Sequence, residues 1–420
     1  MKKNSLLYKI LRGLQDMCYI WANEMRNVLH DEGVLMFCIL VPLGYPLLYS
    51  WIYNNEVVHE VPTAIVDLSH SHVSRQFIRD YDASPEVKTA YFCNSLEEAR
   101  QLVAHQAVNG ILYFPQDFDT RLQRGEQAHV SVYTDMSLML TYKAIYQTAQ
   151  AVATHINSGI QISQSTGFTN RDDEITTQPL AFDEVPIFNT TGGYGNAILP
   201  GVLMLILQQT LFLGVGMAAG TAREQNRNKE LIPISTHYAG VFRIVLGKAL
   251  CYIMIYAVMG TYLALVVPRL FGFVSMVGGF TLFCFLLPYI LACTFFALSM
   301  SCLVRYRENV MLLVVFTSIP FLFMTGISWP QANIPAFWQG VACLFPSTFG
   351  VRGFLRISSM GAPLADIEPE FQALWIQVAA YFFLACIVFR HQIRLARKNA
   401  GLPAEASTAE DEVETALEEK

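Results

Sequence analysis

Residues 197–220 read AILPGVLMLILQQTLFLGVGMAAG, an uncharged run longer than the roughly 20 residues a helix needs to cross the hydrocarbon core of a bilayer. Five more stretches on either side are similarly apolar: 33–53, 244–267 with the single charge Lys248 near its start, 276–303, 310–328 and 371–389. The first of them carries Pro42 and Pro46, so a kink is expected there. The pattern predicts a polytopic α-helical membrane protein of about six transmembrane helices, with a large water-exposed α/β domain inserted after the first.

The bulk composition agrees. Of 420 residues, 53% are hydrophobic and 15% charged, whereas soluble domains average about 25% charged. Mean hydropathy is +0.35. The net charge of −6 comes largely from the segment after the first span and from the 393–420 tail. No basic stripe with interleaved aromatics is present, so nucleic acid is not an expected partner. Six of the cysteines, Cys38, Cys251, Cys284, Cys293, Cys302 and Cys386, lie in apolar runs, where a thiol acts as a small hydrophobe. Cys93 stands alone in the insert and no CxxC occurs. The long charged lead before residue 33 argues against a cleaved signal peptide.

Residues 8–29 carry Ile10, Leu14, Met17, Trp21, Met25 and Val28 at helical spacing, with Lys9, Arg12, Asp16, Asn23 and Arg26 on other faces. This predicts an amphipathic helix in the membrane interface, within a 1–32 segment on the cytoplasmic side. Orientation follows from Lys and Arg in the short connections. The N-terminal lead, the 221–243 loop with its continuation to Lys248, the Arg305/Arg307 turn and the residues after 389 are basic. The opposite side offers only Arg269, Arg352 and Arg356. Both termini are therefore expected in the cytoplasm.

The insert, 54–194, is then extracytoplasmic. VPTAIVDL (61–68), VKTAYFC (87–93), GILYF (110–114) and HVSVYTD (129–135) read as strands. Helices are expected at 74–81, at 95–106 with a Ser95/Glu98 capping box, at 118–125, and at 137–164. The five remaining spans occupy 195–392, with an apolar, Pro-rich, re-entrant segment at 329–357 whose Trp329, Phe337, Trp338 and Phe345 suit the interface.

Catalytic signatures are missing. There is no GxSxG, HExxH, EF-hand or Walker A sequence; Gly247-Lys248 runs on into Ala249. Asp67, His70 and His72 cluster after a strand, where the simpler reading is a polar turn capped by Asp67. The spans hold almost no ionisable residue away from their ends, which argues against an ion-coupled pump. They do hold Gln208, Gln209 and Thr210 in span 2, and Thr317, Ser318 and Thr325 in span 5. These are candidates either for interhelical hydrogen bonds or for a polar dimer interface or substrate path.

Four motifs taken together resemble one family. They are Leu199-Pro200-Gly201, the loop with Arg223-Glu224, Glu230-Leu231 and Gly247-Lys248, the Gly326, Pro330, Pro335, Pro346 series, and VPTAIVDL with SLEEARQLV and GILYFPQDF. The chain is similar to the permease subunit of bacterial type-two ABC exporters, in the subgroup with a large periplasmic domain between the first two spans. It departs from the family in having Asn226-Arg227-Asn228-Lys229 where a Gly-Thr pair is usual. The resemblance implies an inner-membrane protein without enzymatic activity, working as a dimer with the same or a related permease, and moving an amphiphilic or drug-like substrate outward. It implies a cytoplasmic ATP-binding subunit that holds ATP and Mg, so this chain binds no cofactor or metal itself. A periplasmic adaptor and outer-membrane channel are compatible partners alongside membrane lipid. Arg223, Glu224, Glu230, Leu231 and Arg243 are the residues expected to couple to the ATPase. Two readings from other classes remain: a membrane receptor or scaffold with a ligand-binding external domain, and a membrane-embedded enzyme, for which no paired ionisable residues are present.

Overall fold

The computed structural model describes residues 6–54, 57–164, 169–170, 177, 187–189, 193–224, 240–301 and 306–399. The chain divides into two compact units, Met1–Asn54 with Gly193–Lys420, and Asn55–Gly192.

In the first unit an entry helix, Leu6–His30, leads to six helices long and apolar enough to cross a membrane: Glu32–Ile52, Tyr194–Glu224, Val241–Leu270, Gly279–Met300, Arg307–Met324 and Leu364–Leu395. These are spans 1 to 6. Span 2 is the axis. Its packing is buried almost all round, by Leu203, Leu207 and Leu211 among others. Span 4 is the next most enclosed, while spans 1, 5 and 6 leave most of their apolar surface outward, as lipid-facing helices do. Spans 1 and 3 each contain one π turn, Met36–Leu40 and Tyr262–Val266. Each lies just ahead of a proline, Pro42 and Pro268, whose ring collides with the carbonyl one turn back. The wider turn absorbs that collision, so the chain bends by a π bulge and stays helical.

The segment after span 5 folds as a short turn, Gln331–Asn333, a helix Ala336–Ala342 and a longer helix Pro346–Met360. Pro335 and Pro346 stand where helices begin, where a missing N–H does no harm. The longer helix packs on spans 2 and 4 through Val351, Phe354 and Ile357.

The second unit holds a four-stranded sheet, β1 Val61–Asp67, β2 Val87–Phe92, β3 Gly110–Phe114 and β4 Ser131–Thr134, in the order β2-β1-β3-β4. β1 runs parallel to both neighbours, and β4 is antiparallel to β3. Alternating side chains of the central strands feed two cores. Val61, Ile65, Leu112 and Phe114 meet Phe77, Tyr81, Ile145 and Val152 on one face. Ala64, Val66 and Ile111 meet Ala99 and Val108 on the other. Helices His72–Asp82 and Met139–Gln164 contribute to the first core, and Leu96–Ala104 to the second. The Ser95 cap forms as expected, with its hydroxyl accepting from Glu98 N at 3.2 Å; Glu98 reaches back to Asn94 N, one residue before the cap. The last helix begins at Met139 and β4 is shorter than its sequence pattern suggested.

Candidate functional site

The residues that draw several spans together lie at one end of the first unit. Asp31 caps span 1: its side chain accepts from Gly33 N at 3.1 Å and Val34 N at 3.2 Å. The same carboxylate binds Arg307, the first residue of span 5, at 2.9 Å, and accepts from Thr221 near the end of span 2 at 3.0 Å. Glu224, three residues on, accepts the Arg307 backbone N–H at 2.9 Å. Tyr306 supplies no side-chain cap, so Glu224 supplies one from another helix. A Cβ on Gly220 would stand 2.9 Å from Arg307 Cα, and one on Gly33 would collide with the Arg307 guanidinium. Small residues here let spans 1, 2 and 5 close on a single arginine. Burial raises the Asp31 pKa, but the bonds from Val34 N–H and Thr221, the Arg307 charge and the Gly33 N–H outweigh it, leaving the carboxyl below its ordinary value.

The entry helix is fixed beside this corner by two further ion pairs. Asp16, 1% exposed, binds Arg243 at 2.9 Å. Glu24 binds Lys248 at 2.9 Å and accepts the Tyr252 hydroxyl at 2.9 Å. Between them Ile20 packs on Gly247, where an added Cβ would come within 2.9 Å of Ile20 Cβ. The face packed against span 3 is therefore Asp16, Ile20, Glu24 and Val28, while Leu11 and Leu14 stay exposed. This corrects the expectation that Asp16 lies off the packed face of the helix. A carboxylate is buried there because a cation on span 3 meets it.

Of the expected coupling residues, Arg223 and Glu224 end span 2 at this corner, and Arg243 is engaged with the entry helix. Glu230 and Leu231 lie outside the described residues. Asp31, Arg307, Glu24 and Lys248 were not singled out from the sequence as site residues. The available signal was Asp31 ahead of an apolar run and Arg307 opening one.

The polar residues within the spans divide. Gln208 accepts the Ser347 N–H at 2.5 Å and the Cys293 thiol at 3.7 Å, so it caps the helix Pro346–Met360 from span 2. Thr210 donates to Ile206 O at 2.8 Å, Thr317 to Leu313 O at 2.8 Å, Ser318 to Val315 O at 2.8 Å and Thr325 to Leu322 O at 2.6 Å. Each hydroxyl is satisfied inside its own helix. Gln209 differs: both ends of its amide are shut off from solvent without a hydrogen-bond partner among the described residues.

In the second unit Asp67 accepts from Ser69 N, His70 N and the Ser74 hydroxyl, which is the polar turn expected of it. Among the described residues no three His, Cys, Asp or Glu side chains are placed to hold a metal ion.

Comparison with known proteins agrees with this architecture. The inner membrane transport permease YhhJ of Escherichia coli (strain K12) is 25% identical over 398 residues, covering 91% of this chain and 99% of that protein. The protein of the same name from Shigella flexneri matches over the same extent. The model of the ABC-2 family transporter protein matches residues 33–387, from span 1 into span 6. The chain is a membrane-spanning permease that belongs to the ABC-2 transporter family.

Proposed function

We propose that this chain is the membrane subunit of an ATP-driven exporter, acting as a dimer and moving an amphiphilic or drug-like substrate out of the cytoplasm or the inner membrane. A separate cytoplasmic ATPase supplies the energy. The end bearing Asp31 and Arg307 faces the cytoplasm, as the Lys/Arg distribution supports. The 54–194 domain then faces outward, where it meets substrate or, in a two-membrane cell, an adaptor leading to an outer-membrane channel.

One observation carries the coupling reading. The 221–243 loop leaves span 2 at Glu224 and rejoins the fold beside Arg243, and both of these residues are tied to other helices, Glu224 to span 5 and Arg243 to the entry helix. A push on this loop bears directly on spans 2, 3 and 5 and on the entry helix. Gln209, whose amide has no partner among the described residues, is the proposed pairing or substrate-lining position in span 2.

The test separates an ATPase contact from a purely internal role. Glu230→Lys changes a residue of the loop interior, whereas Glu224→Gln weakens the cap on span 5. Glu230→Lys is expected to weaken association with the ATPase subunit about tenfold or more, because a reversed interface charge leaves its counterpart unpaired. Insertion and the thermal midpoint should hold. Unchanged association and unchanged ATP turnover with Glu230→Lys would remove the loop from the coupling role.

A further inference from the structure

Beside the end of span 5 away from Arg307 stands an arginine that shares its nearby carboxylate with a second arginine. Arg352, on the helix Pro346–Met360, is partly buried, and its Nε donates to the Thr325 carbonyl at a long 3.4 Å. Among the described residues no carboxylate lies within ion-pair distance of it. The nearby Glu370 is bound to Arg356 at 3.2 Å, and Arg356 also donates to Asp366 O at 3.4 Å. One carboxylate thus serves two arginines set one turn apart. A guanidinium removed from water is expensive unless something anionic meets it, and Arg352 has donors to spare.

The surroundings indicate what meets it. Gly326 takes φ +88°, and a Cβ built there would lie 3.9 Å from Arg352 Nε, 4.0 Å from the Trp329 carbonyl oxygen and 3.8 Å from Gln331 Cβ. Arg352 is therefore level with Trp329, which is exposed, as Trp338 is nearby in sequence. Exposed tryptophans at the ends of spans mark the depth of lipid headgroups. Span 5, Arg307–Met324, sets the level of Arg352 apart from that of Arg307 by about 27 Å of helix rise.

We propose that Arg352, held against the Thr325 carbonyl beside Trp329, is a binding position for the phosphate or carboxylate of an anionic amphiphile. As a statement about substrate class this rests on the exporter reading; as a statement about a site it does not. The competing role is a purely structural one, in which Arg352 only closes the C-terminal end of span 5.

The test uses the full chain in neutral detergent micelles, with no ATPase present, so its outcome is separable from that of the coupling experiment. Dioleoylphosphatidylglycerol, dioleoylphosphatidylcholine and inorganic phosphate are titrated while the thermal midpoint is followed. Wild type is expected to respond to phosphatidylglycerol at lower concentration than to phosphatidylcholine. Arg352→Gln should raise the half-saturating phosphatidylglycerol concentration about tenfold, the loss typical of a charged hydrogen bond, and leave phosphatidylcholine unchanged. Arg352→Lys keeps the charge without the fork and should lie between; it carries the test if the glutamine variant fails to fold. A response to inorganic phosphate as strong as that to phosphatidylglycerol, abolished in both by Arg352→Gln, would make Arg352 a site for a soluble anion and overturn the amphiphile. A response to phosphatidylglycerol alone makes a lipid headgroup the source. If wild type does not distinguish phosphatidylglycerol or phosphate from phosphatidylcholine, or if the variants respond as wild type does, Arg352 is a helix cap only and the proposal fails.

Discussion

Asp31 and Arg307 are 276 positions apart in sequence and 2.9 Å apart in space. Together they show what sequence reading can and cannot reach at the scale of single residues. A carboxylate before an apolar run signals a helix start, and that much was legible. Nothing in the spacing of either residue names its partner, because tertiary neighbours leave no periodic trace. Arg243 stands out in the sequence by its place in a charged loop, but its buried partner Asp16, 227 positions away, reads there only as a polar residue off the apolar stripe. Asp31 also yields a pH signature. Its folded pKa lies below the ordinary 3.8, so its contribution to stability is full above that value and is lost as pH falls through the lowered one. Asp31→Asn is expected to destabilise the chain at neutral pH by on the order of 1–2 kcal/mol, the range for a partly exposed charged hydrogen bond. Thermal midpoints of wild type and variant should differ at pH 7 and converge in acid below pH 3.8. A gap that persists unchanged into that range would mean that the Asp31 charge is not what the variant removes.

At the scale of elements, long apolar periodicity was the most readable feature. All six candidate spans lie where apolar runs placed them, with ends moved by at most seven residues. The π turns in spans 1 and 3 were not legible as such. Pro42 announced a distortion, but whether a helix kinks, breaks or widens depends on how its neighbours hold it. The entry helix is the clearest case of pattern without register. Its amphipathic repeat predicted a helix, yet the packed face includes Asp16 and Glu24, because span 3 presents Arg243 and Lys248 to them. Gly247→Leu tests this docking. The larger side chain meets Ile20 and the Met17 carbonyl, which an added Cβ would approach to 2.9 and 3.1 Å. Overpacking of this kind costs about 1–3 kcal/mol. Trypsin should then cut at Arg12 and Arg26 faster than in wild type, with cleavage elsewhere unchanged. An unaltered digestion pattern would show that the entry helix is held by something other than this contact.

At the scale of the whole molecule, the division at Asn55 and Gly192 separates a unit with two cores of its own from the helices that precede and follow it. Alternating side chains in VPTAIVDL and GILYF made the sheet legible, while strand order was not, since it depends on crossovers that local pattern does not encode. Expressed alone, residues 55–192 should unfold in one cooperative denaturant transition. Ile65→Ala, which empties a fully buried position on β1, should lower its stability by about 2–5 kcal/mol. A non-cooperative transition would mean that this unit depends on the rest of the chain for its fold.

The family assignment rests on the full run of spans, and the energetic reading built on it rests on a second protein. Its most direct test is ATP turnover in the assembly purified from mild detergent through a tag on this chain alone. The expected result is Mg-dependent ATP hydrolysis that co-purifies with the 47.2 kDa chain and falls on charge reversal at Glu230, with the amount of chain recovered unchanged. A purified chain that carries no ATP-hydrolysing subunit in wild-type form, under conditions where the permease itself is folded, would contradict the account.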